Sequence, residues 1–188
     1  MHEFTVWAPN ARAVTVKIGE GMYPMRGPNE RGWWSVAVEQ AGPGTDYGFV
    51  VDDDPKAWPD PRSQWQPHGV HGASRVYDQT AYLWSDGGWQ APKLSSAVVY
   101  EMHVGTFTPK GTFDAAIERL EYLLELGITH VELMPVAAFP GERGWGYDGA
   151  ALFAVYEGYG GPDGLKRLVD ACHEIGRASC RERVCNGV

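Results

Sequence analysis

Ala97-Val98-Val99-Tyr100-Glu101-Met102-His103-Val104 and Ile128-Thr129-His130-Val131-Glu132-Leu133-Met134-Pro135 are two short apolar runs rich in β-branched residues. Such runs predict strands covered on both faces, the habit of a parallel sheet. Between them, Asp114 to Leu126 places Ala116, Ile117, Leu120, Leu123 and Leu124 on one helical stripe. Thr112 is suited to cap this helix and Gly127 to end it. Strand, helix and strand joined by short links predict a βαβ unit with parallel strands. A long glycine-rich loop, Val136 to Gly161, then leads to a second helix over 162–174, with Pro162 in its first turn.

Upstream of about residue 91 the period changes to two. Phe4 to Ala8, Ala13 to Ile18, Gly32 to Val38 and Asp46 to Val51 alternate as half-buried strands separated by turn residues. A Pro-rich stretch from Asp52 to Gly72 cannot hold a central strand, and it predicts an ordered surface loop before a last strand over 75–78. Short strands at this spacing predict an immunoglobulin-like β-sandwich over residues 1–91. The α/β pattern occupies 92–174.

Downstream of residue 174 a third apolar strand is due, because each βα unit hands on to another. Residues 175–188 are polar and basic with no period, and Ile175 to Val184 resembles a translated sequencing adapter. This stretch is expected to be a non-native tail that adds no strand.

Composition narrows the function. The chain has 188 residues with a formal charge of −8, so it lacks the basic surface on which nucleic acids or anionic membranes bind. No apolar run reaches the roughly 20 residues of a membrane span, and the first residues lack a signal-peptide pattern, so a cytoplasmic protein is expected. Three cysteines, Cys172, Cys180 and Cys185, form neither a disulfide framework nor a metal site. Cys172 is expected to be a small core residue. No phosphate loop, dinucleotide fingerprint, zinc-protease motif or serine-hydrolase elbow is present, so no cofactor and no metal are expected.

Chemistry concentrates in the loop Phe139-Pro140-Gly141-Glu142-Arg143-Gly144-Trp145-Gly146-Tyr147-Asp148-Gly149. It follows a parallel strand, on the side where such proteins bind substrate. Trp145 and Tyr147 offer flat faces and Asp148 an acceptor, which suits a sugar ring; the same aromatics could instead fold back onto the core. Glu101 and His103, two apart on one strand, form either an acid/base pair or a polar layer inside a barrel. Trp33 and Trp34 must point to opposite faces, one of them outward as a glycan platform or as packing between domains.

These residues carry a resemblance. Phe4-Thr5-Val6-Trp7-Ala8-Pro9-Asn10-Ala11 and Pro59 to Gly72 resemble the sandwich of carbohydrate-binding module family 48. Val99 to Thr108, Gly127 to Val136 and Gly144-Trp145-Gly146-Tyr147-Asp148-Gly149 resemble the first two strands and the substrate loop of glycoside hydrolase family 13, the alpha-amylase superfamily. The resemblance implies a sandwich followed by the first βα units of a truncated TIM (β/α)8 barrel. Within the family, Glu101 to Phe113 and Pro135 to Gly141 are similar to the trehalose-releasing members. Branching enzymes carry different residues at the end of the first strand.

The implied reaction is hydrolysis of the α-1,4 bond next to the terminal trehalose unit of maltooligosyltrehalose. The implied roles are stacking of Tyr147 on the sugar beside the scissile bond, with Trp145 and Asp148 shaping the pocket. Retaining glycosidases need two carboxyl groups about 5–5.5 Å apart. The family draws them from later strands, and 83 residues over 92–174 fall short of the roughly 250 of a barrel. The chain by itself is therefore expected to be inactive. A branching or debranching relative and a stand-alone glycan-binding module are the alternative readings.

Overall fold

The structure, a computed structural model, describes residues 1–181. It divides into two compact units, Met1–Asp78 and Gln79 onward.

In the first unit β1 (His2–Trp7) pairs antiparallel with β4 (Trp33–Val38). The second sheet runs in the order β3 (Gly21–Pro24), β2 (Val14–Ile18), β5 (Asp46–Val51), β6 (Ser74–Arg75), every pair antiparallel. Alternation sends Phe4 and Val6 from one sheet, and Val14, Val16 and Phe49 from the other, into one buried cluster. That shared core makes the unit a β-sandwich. Trp34 is buried and its indole donates to the carbonyl of Ala8 at 2.9 Å, while Trp33 stays partly exposed under the guanidinium of Arg62. The Pro-rich stretch is an ordered loop. Phe49 and Trp58 exchange backbone hydrogen bonds of 2.7 and 2.8 Å, and the Tyr47 hydroxyl donates to Asp60 at 2.7 Å.

The second unit opens on residues 79–91, which the composition change grouped with the sandwich. They lie instead along the final helix. The Tyr82 hydroxyl donates to Asp170, Asp86 holds His173 Nδ1 at 2.7 Å, and the Trp89 ring stacks on His173 at 3.8 Å.

The α/β pattern follows as β7 (Val99–Met102), α1 (Val104–Phe107), α2 (Phe113–Ile117), α3 (Leu120–Glu125) and β8 (His130–Leu133). After them come a short antiparallel pair β9 (Ala137–Ala138) and β10 (Ala151–Val155), then α4 (Gly161–Glu174) and β11 (Ala178–Arg181). Strands β7 and β8 are parallel as expected, with Val99 opposite His130 and Met102 opposite Leu133. The Thr112 hydroxyl caps α2 by accepting from Ala115 N at 3.2 Å. Met102, Val131 and Leu133 of the sheet bury against Leu120, Leu123, Leu168 and Cys172 of the helices. Each such side chain contributes roughly 1.5–3 kcal/mol.

Four expectations are corrected. The stretch after α4 does form a third strand. β11 lies parallel to β8 with Ala178 opposite His130 and Arg181 opposite Leu133. A ladder is built from backbone groups, so a run without apolar periodicity can join an open edge. Gly176, at φ +70°, turns the chain out of α4, and Arg177 N bonds the Cys172 carbonyl at 2.9 Å. The single helix expected over 114–126 is two, broken where Arg119 takes φ −112°, ψ 3°. The first apolar run is covered on one face only, since Val99 and Glu101 are exposed while Met102, on the other face, is buried. Finally, the long loop is not free of regular structure, because Ala151–Val155 pairs back onto Ala137–Ala138. Of the tail, residues 182–188 lie outside the described residues, Cys185 among them.

Candidate functional site

The carboxyl ends of β7 and β8 open beneath the loop 139–149. His103 follows β7 directly and its imidazole reaches the loop across 41 residues of sequence. Nε2 lies 2.9 Å from the Gly144 carbonyl, and the Thr106 hydroxyl lies 3.2 Å from Nδ1. A carbonyl only accepts, so Nε2 carries a proton and donates to Gly144, while the Thr106 hydroxyl also lies 3.4 Å from the His103 carbonyl. The Tyr159 hydroxyl sits 3.5 Å from Nε2, its ring edge-on to the imidazole.

Close approach here depends on glycine. A Cβ on Gly105 would meet His103 Cε1 and the Tyr159 ring at 3.0 Å. Gly146 has φ +92°, and a Cβ there would stand 2.5 Å from the Pro135 carbonyl oxygen. The loop entrance is tied by Tyr156, whose hydroxyl donates to the Gly141 carbonyl at 2.7 Å while its ring stacks on Phe139 at 4.0 Å. Burial pushes the Tyr156 phenol above its ordinary value, with the Glu142 charge adding to it. Burial likewise raises the buried Tyr159, helped by Tyr156 and Asp148. Both hydroxyls therefore stay protonated and able to donate.

A cavity of about 720 Å³ lies under the loop, lined by His103, Thr106, Met134, Glu142, Trp145 and Tyr159 among others. Such a volume accommodates a ligand of a few sugar rings. Of the three residues singled out from sequence, Trp145 lines this cavity and is 81% exposed. Tyr147 is half exposed on the same loop, outside the lining given above. Asp148 folds toward the loop itself: a Cβ on Gly144 would lie 2.8 Å from both carboxylate oxygens.

Glu101 in β7 and His103 just beyond its end both border a second cavity of about 510 Å³. The imidazole nitrogens face Gly144, Tyr159 and Thr106. Tyr159 and Tyr156 escaped sequence reading. Their only local signal was an aromatic–glycine cluster, Tyr156-Glu157-Gly158-Tyr159-Gly160, ahead of α4. Cys172 is fully buried and inert, its thiol pushed up to about 12 by burial. Among the described residues no group of three or more His, Cys, Asp or Glu is placed to hold a metal, and no helix is long and apolar enough to cross a membrane.

Comparison with known proteins agrees with this geometry. Residues 2–63 match Carbohydrate-binding module 48 (Isoamylase N-terminal domain), and residues 56–186 match Alpha amylase, catalytic domain. The chain is 48% identical over 97% of its length to a malto-oligosyltrehalose trehalohydrolase of Rhizobium sp. (strain M-11), and 49% identical over 97% to one of Arthrobacter ramosus. It spans 32% of the length of each of these curated relatives. A 1,4-alpha-glucan branching enzyme of Xanthomonas oryzae pv. oryzae is 37% identical over 92% of this chain and 26% of its own.

Among solved structures, a Salmonella typhimurium protein named as a candidate alpha amylase superposes with TM-score 0.91 at 45% identity, covering 95% of this chain and 30% of its own. A pullulanase of Anoxybacillus sp. LM18-11, solved with maltotetraose, superposes with TM-score 0.80 at 25% identity, covering 96% and 32%. The strands, the helices and the loop after the second parallel strand are thus those of a known fold, and the chain belongs to the alpha-amylase catalytic-domain family, with a module 48 sandwich ahead of it.

Proposed function

We propose that this chain is the amino-terminal part of a trehalose-releasing glycosidase. The reaction would be hydrolysis of the α-1,4 bond next to the terminal trehalose unit of maltooligosyltrehalose, in trehalose biosynthesis. The observation that carries the reading is Trp145, held exposed over a cavity at the carboxyl ends of two parallel strands by a loop fastened at Gly141 and Gly144. An exposed indole fixed above a polar-edged cavity suits the apolar face and hydroxyl rim of glucose. The names of the relatives support the trehalose-releasing member of the family, and the lower identity of the branching enzyme favours it less. Tyr147 and Asp148 are proposed to meet the substrate when it seats against the loop.

The cavity residues include one carboxylate, Glu142, where retaining hydrolysis needs two. The chain by itself should therefore bind glucan without turning it over. Isothermal titration with maltohexaose, alongside a trehalose-release assay on maltooligosyltrehalose, tests both statements. Saturable binding without release is the expected result; absence of binding, or release by this chain, would overturn the reading.

A further inference from the structure

We propose that His103 is the positioning residue that fixes the substrate loop in its open-cavity form, by the hydrogen bond that Nε2 donates to the Gly144 carbonyl. This rests on the reading that the loop meets a glucan. The Gly144 carbonyl demands a donor at Nε2, and the Thr106 hydroxyl, 3.2 Å from Nδ1 and 3.4 Å from the His103 carbonyl, holds the other edge of the ring. Tyr159, buried and protonated, closes the side of the ring.

The tether has a defined point of action. Gly144 stands immediately before Trp145, so its carbonyl sets the peptide plane from which the indole projects over the cavity. The Asp148 carboxylate and the Phe139 ring crowd Gly144, where a Cβ would stand 2.8 Å from both carboxylate oxygens and 3.0 Å from the ring. Tyr156 fastens Gly141 at the loop entrance, and the span between Gly141 and Gly144 holds the exposed Glu142 and Arg143. Without the His103 donor, Gly144 has only the loop's own contacts to hold it. The Trp145 platform then samples orientations that do not cover the cavity.

Hydrogen exchange by mass spectrometry on the 188-residue chain tests this, reading peptides across 141–149 with those of α4 as a folding control. His103→Phe keeps a ring but no donor; His103→Gln restores an N–H at similar reach. His103→Asn carries the same amide on a shorter arm and stands in should the Phe variant not fold. The expected result is loop exchange about threefold to tenfold faster in the Phe or Asn variant, α4 unchanged, and return toward wild type in the Gln variant. Equal exchange in all variants overturns the proposal, as does acceleration that Gln fails to rescue or that α4 shares.

Adding maltohexaose separates the two readings. Protection of the loop in wild type and the Gln variant, lost in Phe, supports the positioning role for a glucan. No protection in wild type, with the unliganded pattern intact, sinks the glucan reading and leaves the tether standing.

Discussion

Arg167 of α4 grips Asp114 of α2 through two parallel hydrogen bonds, Nε to Oδ1 and Nη2 to Oδ2, each 2.8 Å. The pair joins the helices of consecutive βα units, beside the point where Gly164 allows α4 to close on Phe113. Both side chains are about half exposed, so solvent screens most of the Coulomb energy. Replacing Asp114 with Ala should cost no more than about 1 kcal/mol, and less in high salt. The Arg167 hydrogen bonds hold the Asp114 carboxyl below its ordinary range. A depressed carboxylate stabilises the fold only while ionised, so this contribution is complete above about pH 4 and fades as pH falls below it. Urea melts of wild type and Asp114→Ala at pH 7 and pH 3 check the sign: the difference should shrink at the lower pH.

Burial of the Cys172 thiol predicts the opposite slope. The folded state keeps the thiol neutral to about pH 12, while an unfolded thiol ionises near pH 8.5. The group therefore favours the folded state below about pH 8.5, and that advantage is lost as pH rises toward 12. Peptide-resolved iodoacetamide labelling at pH 8 should leave Cys172 unmodified until urea unfolds the chain. Rapid labelling in the native state would contradict the packing described above.

Leu168 of α4 is 1% exposed within the core, whereas Leu126, at the end of α3, is 54% exposed. Leu126 lies off the stripe of Ala116, Ile117, Leu120, Leu123 and Leu124, whereas Leu168 packs within the core of the second unit. Leu168→Ala should cost about 2–5 kcal/mol because the packed sheet and helices cannot close the void. Leu126→Ala should fall within about 0.5 kcal/mol of wild type. Thermal melting of the two variants separates these outcomes.

Gly146 combines a left-handed backbone with a carbonyl oxygen 2.5 Å from where a Cβ would stand. Gly146→Ala should destabilise the loop by about 1–3 kcal/mol, with faster proteolysis between Gly141 and Gly149. Gly87→Ala, at a position where a Cβ meets nothing within 4 Å, is the control and should leave cleavage rates unchanged.

Trp145 is exposed and contributes little to the core, so Trp145→Ala should leave stability within about 0.5 kcal/mol. Loss of the stacking face should weaken maltohexaose binding by about tenfold, read by isothermal titration. Unchanged affinity would place the sugar elsewhere.

Much of this molecule is legible one residue at a time. Alternation in Phe4 to Ala8 and Ala13 to Ile18, the apolar stripe from Ala116 to Leu124 and the Thr112 cap each have a local cause, and the structure has strands or helices at all of them. The loop bearing Trp145, Tyr147 and Asp148 could be placed as well, because a parallel strand must be followed by a connection on its carboxyl side. The break at Arg119 has no proline or glycine to announce it, and β11 has no apolar period at all.

The sequence by itself determined the two structural halves, the parallel strands β7 and β8 and the position of the loop 139–149, since periods of two and 3.6 are properties of neighbouring residues. Tertiary structure alone decided which residues make the site. That His103 grips Gly144, that Tyr159 flanks the imidazole and that Tyr156 holds Gly141 are contacts across 41, 56 and 15 residues. No local pattern encodes them, because such contacts exist only after the sheet and α4 have brought distant backbone within hydrogen-bonding reach.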